Sequence, residues 1–139
     1  MKRLILRYVD VETFGNNRQA VVKLELSGSI FAGRCQLANK ELLFETVAVA
    51  TLNAVNEALY SHIHAKVDFQ LHHAQELRPQ FLDNSLFVVV ADAGFGHLLI
   101  HLVGTVIADS HDWARATASA TLDSTNRLVQ HLLELESSI

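Results

Sequence analysis

The sequence has 139 residues, of which 50% are apolar and 19% are charged, and its formal net charge is −4. This length suits one domain with a single core, and the apolar content excludes a disordered chain. Acidic and basic residues are interspersed along the chain without a basic patch, so we predict neither a nucleic-acid partner nor binding to anionic lipid.

The sequence carries no targeting or membrane signal of the usual kinds. The apolar run Leu4–Leu6 is interrupted at Arg7, too early for a signal peptide, and no apolar stretch reaches the ~20 residues of a membrane-spanning helix. Cys35 is the only cysteine, which is typical of a reducing compartment. We therefore expect a cytoplasmic protein without membrane association.

The first 38 residues predict an antiparallel meander. Alternating apolar and polar residues indicate strands over 4–14, 20–27 and 30–37. Turn-forming residues at 15–17 and 27–29 separate these strands. A helix is then predicted from a cap at Asn39 to about Tyr60, and the small side chains of Ala48 and Ala50 would permit close packing.

The second half repeats this order. Strands are predicted over 65–77, 86–91 and 97–108, separated by a loop around Pro79 and by a hairpin turn over 92–96. A second helix is predicted from a cap at Ser110 to about Glu136. Because the second-half strands are rich in Leu, Ile and Val, we expect both faces of their sheet to be covered, one of them by a second copy of the chain.

A short sequence motif, called the helix phrase, occurs in both predicted helices. The pattern A-x-A-T-L-x-x-x-N occurs at Ala48–Asn56 and again at Ala118–Asn126. The sequence thus predicts an α+β fold of two βββα repeats, residues 1–62 and 63–139, within a single domain of 1–139. The repeats would form an antiparallel sheet or sheets with two long helices packed on one face, in a homodimer.

Segments of the second repeat resemble a known regulatory domain. Gly104-Thr105-Val106, the helix start Asp109–Ala116 and Ala120–Asp123 resemble the C-terminal regulatory domain of alpha-isopropylmalate synthase and citramalate synthase. The resemblance implies paired βββα units, with a leucine or isoleucine effector between units near a dimer interface. The helix phrase from Ala120 to Arg127, A-T-L-D-x-x-N-R, is also similar to that of small stand-alone bacterial proteins of unknown function.

Histidine is the reactive residue type in excess, with eight in the chain. His62 with His64, His72 with His73, and His97 with His101 could each supply metal nitrogens, but no spacing matches a known zinc motif and a site needs three or four converging ligands. We therefore predict hydrogen-bonded or solvated histidines, with no metal, cofactor or catalytic residue. Cys35 is interpreted as an inert buried thiol rather than a nucleophile.

Two amides and one indole are further candidates. Asn56 and Asn126 recur at the same place in mostly apolar helices. They could contact a ligand or each other across a pseudo-twofold axis, although a hydrogen bond to a sheet edge or to solvent is the favoured explanation. Trp113, in the first turn of the second helix, is interpreted as a packing anchor or interface residue. Thr51 and Thr121 can bond back to the preceding helical turn.

These observations favour a non-enzymatic, dimeric regulatory or scaffold module that binds a small molecule or a protein partner. Its ligand or interface candidates are Asn56, Asn126, His72, His101 and Trp113. The first alternative is an enzyme whose histidine-containing site, with His72, His73 or His101 as acid or base, is completed at the dimer interface. A purely structural subunit is the second alternative.

Overall fold

A computed structural model describes residues 3–38, 42–64 and 66–137. Three strands precede a helix, three further strands follow, and a short 3-10 helix at Ser110–Asp112 leads into the last helix. The elements are β1 (Ile5–Phe14), β2 (Asn17–Leu26), β3 (Ser29–Leu37), α1 (Leu43–His62), β4 (Asp68–Leu77), β5 (Ser85–Phe95), β6 (Leu98–Ala108) and α2 (Trp113–Ser137).

The strands form two antiparallel three-stranded sheets, in the orders β1-β2-β3 and β4-β5-β6. Each sheet is a meander followed by its helix, so the predicted α+β fold of two βββα repeats is confirmed. The tight turn between Leu26 and Ser29 places Ser27 at a φ of 52° and Gly28 at 85°. These positive values are those of the two-residue hairpin turns that match strand twist.

The predicted end of β5 is wrong. A turn was predicted over residues 92–96, whereas β5 continues to Phe95 and the turn is Gly96-His97. Asp92 therefore lies inside the sheet, between β4 and β6, where Gln70 and His101 are its register partners. Asp92 is thus close enough to side chains of β4 and β6 to form a site with them.

The helix starts also differ from the prediction. Asp109, rather than Ser110, caps the second helical segment, because its carboxylate accepts a hydrogen bond from the His111 N–H at 2.9 Å. Leu42 precedes α1 and provides no side-chain cap. The predicted cap at Asn39 lies outside the described residues.

Both repeats contribute to the hydrophobic core, which consists of a large cluster and a smaller one around Phe87. Each helix packs on the inner face of its own sheet, contacts the first strand of the other sheet, and contacts the other helix. The core includes side chains from strands and helices of both halves, among them Val22, Leu24, Leu52, Leu59, Phe69, Ala91, Ala118, Leu122 and Val129. Neither half therefore buries its inner face alone.

A glycine in the third strand of each sheet lets the helix backbone approach closely. A Cβ added to Gly33 would lie 1.9 Å from the Ala50 carbonyl oxygen, and one added to Gly104 would lie 2.0 Å from the Ala120 oxygen. The close approach expected at Ala50 is confirmed. Because any side chain would displace the helix, only glycine fits at either position.

Neither helix in the part of the chain that the structure describes combines the length and apolar character needed to cross a membrane.

Candidate functional site

A β-bulge in the first strand of each sheet determines which side chains face outward. The register shifts between Leu6 and Tyr8 in β1, and between Leu71 and His73 in β4. A bulge inserts one extra residue into a strand, so the alternation of inward-facing and outward-facing side chains changes phase there. His72 and His73 are consequently both exposed, while Ala74 is buried.

The bulge brings His72 to the outer face of the second sheet, beside Asp92 and His101. The Nδ1 atom of His72 lies 3.2 Å from Oδ2 of Asp92, and the Nδ1 atom of His101 makes a short contact with Oδ1. The two imidazole rings meet edge to face, with centroids 5.1 Å apart. We call this arrangement the His–Asp–His cluster.

The carboxylate of the cluster is ionised and largely covered. Burial acts to raise the pKa of Asp92, but the hydrogen bonds and charges of His101 and His72 outweigh it and hold the pKa below its ordinary value. The side chain of Asp92 is only 15% exposed, whereas those of His72 and His101 are 55% and 58% exposed. An ionised carboxylate only accepts hydrogen bonds, so both imidazoles donate to it through Nδ1–H.

The first sheet has a simple ion pair at the corresponding place. Arg7, at the bulge of β1, donates from Nε to Oε1 of Glu25 at 3.1 Å and from Nη2 to Oε2 at 3.2 Å. Ile30 is the register partner of Glu25 on β3, just as His101 is that of Asp92 on β6. The two sheets thus share a carboxylate on the central strand, and the second sheet has imidazoles where the first has a guanidinium and an alkyl group.

The outer faces of the two sheets differ in character. Around the His–Asp–His cluster the second face is apolar, with Val103 62% exposed and Ile107 58% exposed. Its other apolar positions are Leu77, Leu86, Val88, Val90 and Leu99. The first face is mainly polar, and its corresponding positions include Asp10, Glu12, Gln19, Lys23, Arg34 and Gln36.

The two candidate asparagines lie in different surroundings. The Asn56 amide pairs with both backbone groups of Phe69, donating to its carbonyl and accepting from its N–H, each at 3.0 Å. This is the sheet-edge hydrogen bond that the sequence analysis favoured. The Oδ1 atom of Asn126 is buried, and the described residues offer it no hydrogen-bond donor. Asn56 and Asn126 therefore do not play equivalent roles.

Trp113 is partly buried in the core at the start of α2. Its ring meets Phe44 edge to face with centroids 5.8 Å apart, and Phe44 in turn contacts Phe87. Trp113 thus connects the first turn of α2 to the first turn of α1. In this environment it acts as the packing anchor that the sequence suggested.

The structure separates most of the histidine pairs considered from sequence. His62 contacts the Ala58 carbonyl, whereas His64 contacts Glu136. His73 approaches Gln75 rather than Asp92, and His97 lies in the turn after β5. Among the described residues, His72 and His101 are the two histidines that converge, although they were not paired with each other in the sequence analysis.

A separate groove lies at the end of α1. Its volume is about 580 Å³, and it is lined by Tyr60, Ile63, His64, Lys66, Val67, Asp68, Gly94 and Gly96. Burial, with a further contribution from Asp68, raises the pKa of the Tyr60 phenol.

Burial also raises the pKa of Cys35, which lies on β3 away from this groove, and this supports an inert thiol at that position.

Asp92 is the site residue that sequence reasoning missed. Its neighbours Ala93 and Gly94 made the segment resemble a turn. Alternation from Val88 and Val90 would have placed Asp92 on the same strand face, and that was the available signal. Compared with known proteins, the sequence matches no family model and no curated relative.

Proposed function

We propose that this protein is a non-enzymatic, homodimeric regulatory or scaffold module, and that its subunits join through the outer face of the second sheet. The observation that carries the proposal is the contrast between the two outer faces. Both have the same topology, yet the second exposes Val103 and Ile107 where the first has Ala32 and Gln36. Contiguous apolar patches on a small protein mark interaction surfaces.

A second copy of the chain is the occupant that this face suits best. Its carboxylates among the described residues are Asp92, which accepts hydrogen bonds from two histidines, and Asp68 at the end of β4. The apolar positions between them and the far end of the sheet therefore bring no like charges into opposition when two copies meet. Strands of ten or eleven residues in a three-stranded sheet present roughly 450 Å². Two such faces together bury roughly 900 Å², which is close to the ~1,000 Å² of the smallest specific interfaces. Two such faces would stack as a β-sandwich.

The regulatory part of the proposal needs a ligand site, and the groove at the end of α1 supplies a candidate. It combines apolar walls at Ile63 and Val67 with polar groups at Tyr60, Lys66 and Asp68. Sites for small molecules commonly combine such walls with a few polar groups. The likeness to the alpha-isopropylmalate synthase regulatory domain suggests branched-chain amino acids as the first ligands to screen by thermal shift.

Oligomeric state tests the proposal directly. We expect the parent protein to sediment as a dimer at micromolar concentration, and Val103→Glu to sediment as a monomer because it buries a charge in the interface. The matched control is Ala32→Glu, which introduces the same charge at the corresponding place of the first sheet. A monomeric parent, or an equal response of both variants, would contradict the proposal.

An enzyme is a second candidate, favoured by one observation. His72 and His101 converge on Asp92, and a carboxylate that orients an imidazole is a recurring device of acid–base catalysis. This candidate predicts turnover of some substrate, such as a chromogenic ester, that is lost in His101→Gln while the dimer persists. A dimer without such turnover favours the regulatory module.

A further inference from the structure

We propose that His72, Asp92 and His101 bind a divalent transition-metal ion, with Zn²⁺ as the best fit. Two imidazoles and one carboxylate form a ligand set that zinc uses in proteins. The inference goes beyond the proposed dimer and does not rest on it, because all three ligands belong to one chain.

The geometry supplies three converging ligand atoms. One atom from each residue can be chosen so that all three lie within 4.8 Å of one another. In a tetrahedral zinc site, bonds of ~2.0–2.1 Å place ligand atoms roughly 3.3 Å apart. The atoms must therefore close by an ångström or so, which side chains as exposed as His72 and His101 can do by rotation.

The cluster is built on a rigid frame. Asp92 lies on the central strand of the sheet and His101 is its direct register partner on β6, while the bulge of β4 fixes His72 on the other side. Ligands on paired strands keep their spacing better than ligands on loops. On binding, the metal replaces the Nδ1–H donors, and each neutral imidazole carries its proton on Nε2 instead.

The first sheet argues against charge neutralisation as the only role of these histidines. There, the single side chain of Arg7 neutralises Glu25 with two hydrogen bonds, and the third position is Ile30. The second sheet instead directs two imidazoles to one carboxylate. A second imidazole is unnecessary for an ion pair but necessary for a three-ligand site, which leaves the fourth metal position open to water or to another ligand.

The test is a Co²⁺ titration followed by visible absorption, with Zn²⁺ competition. Co²⁺ in a site of low coordination number gives ligand-field bands that Zn²⁺ removes. We expect saturation at one ion per chain in the parent protein. The double variant His72→Arg with His101→Ile reproduces the arrangement of the first sheet, so it should fold, retain the parent's oligomeric state and show no such bands.

Two further variants define the site. His111→Gln should bind Co²⁺ like the parent, because His111 pairs with Asp109 on the surface and lies outside the His–Asp–His cluster. Asp92→Asn should weaken binding at least tenfold. Absence of Co²⁺ and Zn²⁺ binding at micromolar concentration in the parent would overturn the proposal, as would bands that persist in the double variant. A monomeric parent that binds one ion would refute the dimer and leave the metal site standing.

Discussion

Asn56 shows how one polar side chain can stabilise the edge of a sheet from inside a core. Its amide meets both the N–H and the C=O of Phe69, so two backbone groups at the start of β4 are satisfied by one residue of α1. Buried backbone groups that lose their partners are costly. The corresponding amide of Asn126 has a buried Oδ1 that meets no donor within the ranges described.

Asn56→Ala should therefore lower the free energy of unfolding by about 1–3 kcal/mol, because the Phe69 groups would remain buried and unpaired. Asn126→Ala is the matched control and should cost clearly less. Urea denaturation followed by circular dichroism measures both values. Equal losses for the two variants would show that the Phe69 hydrogen bonds are not the source of the effect.

Asp92 makes stability depend on pH in a predictable direction. Its pKa in the folded protein lies below the ordinary value, so the folded state binds fewer protons than the unfolded state when the pH is near that value. The stabilisation is present above the unfolded pKa of about 3.9 and is lost as the pH falls through the folded pKa.

Replacing Asp92 with Asn should accordingly flatten the acid side of the stability profile, since the variant has no carboxylate to protonate. Thermal unfolding at a series of pH values between about 5 and 2 would measure the slope. A variant whose stability falls more steeply than the parent's as the pH decreases would contradict this prediction. That result would mean that the folded protein favours the protonated form of Asp92.

Each helix approaches its third strand closely, at the glycine of that strand. The space for a side chain at Gly104 is filled by backbone atoms of α2, including the Ser124 nitrogen at 2.3 Å from the position of a Cβ. Side-chain rotation cannot relieve a clash with backbone. The helix would have to move away from the sheet, taking buried Ala120 and Leu122 with it.

We expect Gly104→Ala to destabilise the protein by ~3 kcal/mol through overpacking. Gly94→Ala is the control, because its Cβ would meet nothing nearer than the Asp68 oxygen at 3.7 Å, an ordinary contact. Chemical denaturation of both variants gives the comparison. Equal stability of the two would mean that α2 shifts without loss of packing.

Helix side chains also reach the other strand edges. Asn53 donates to the Arg34 carbonyl of β3 at 2.9 Å, and Asp123 accepts from the Thr105 N–H of β6 at 3.0 Å. Both residues lie in the variable positions of the A-x-A-T-L-x-x-x-N phrase. Since an unprotected edge invites pairing with another chain, these contacts restrict where association can occur.

Sequence patterns were sufficient to predict the order of all eight main elements, because alternation and helical periodicity are strong in Val22–Leu26 and in Ala118–Val129. They failed at the end of β5, where Asp92 and Gly94 have the composition of a turn but are held in the strand by ladders on both sides. The bulge at His72 was also missed, although the inward-facing apolar positions change phase there, from Phe69 and Leu71 to Ala74. Without the strand position of Asp92 and the bulge at His72, the sequence could not predict that these two side chains meet His101.

The whole molecule has two similar halves with dissimilar outer faces. The helices and inner faces form one shared core, and the polar face of the first sheet is suited to contact with water. The outer face of the second sheet, which exposes Val103 and Ile107 on the edge strand β6, is the one for which we propose a partner. In the proposed dimer, the inner faces stabilise the fold and the outer face of the second sheet forms the interface.

The paired bulges and paired glycines show which features the two halves have in common. Each half has a bulge in its first strand and a glycine under its helix, so the same backbone geometry occurs twice in one chain. The apolar face and the His–Asp–His cluster set the second half apart from the first. The same framework therefore carries two outer faces of different chemistry.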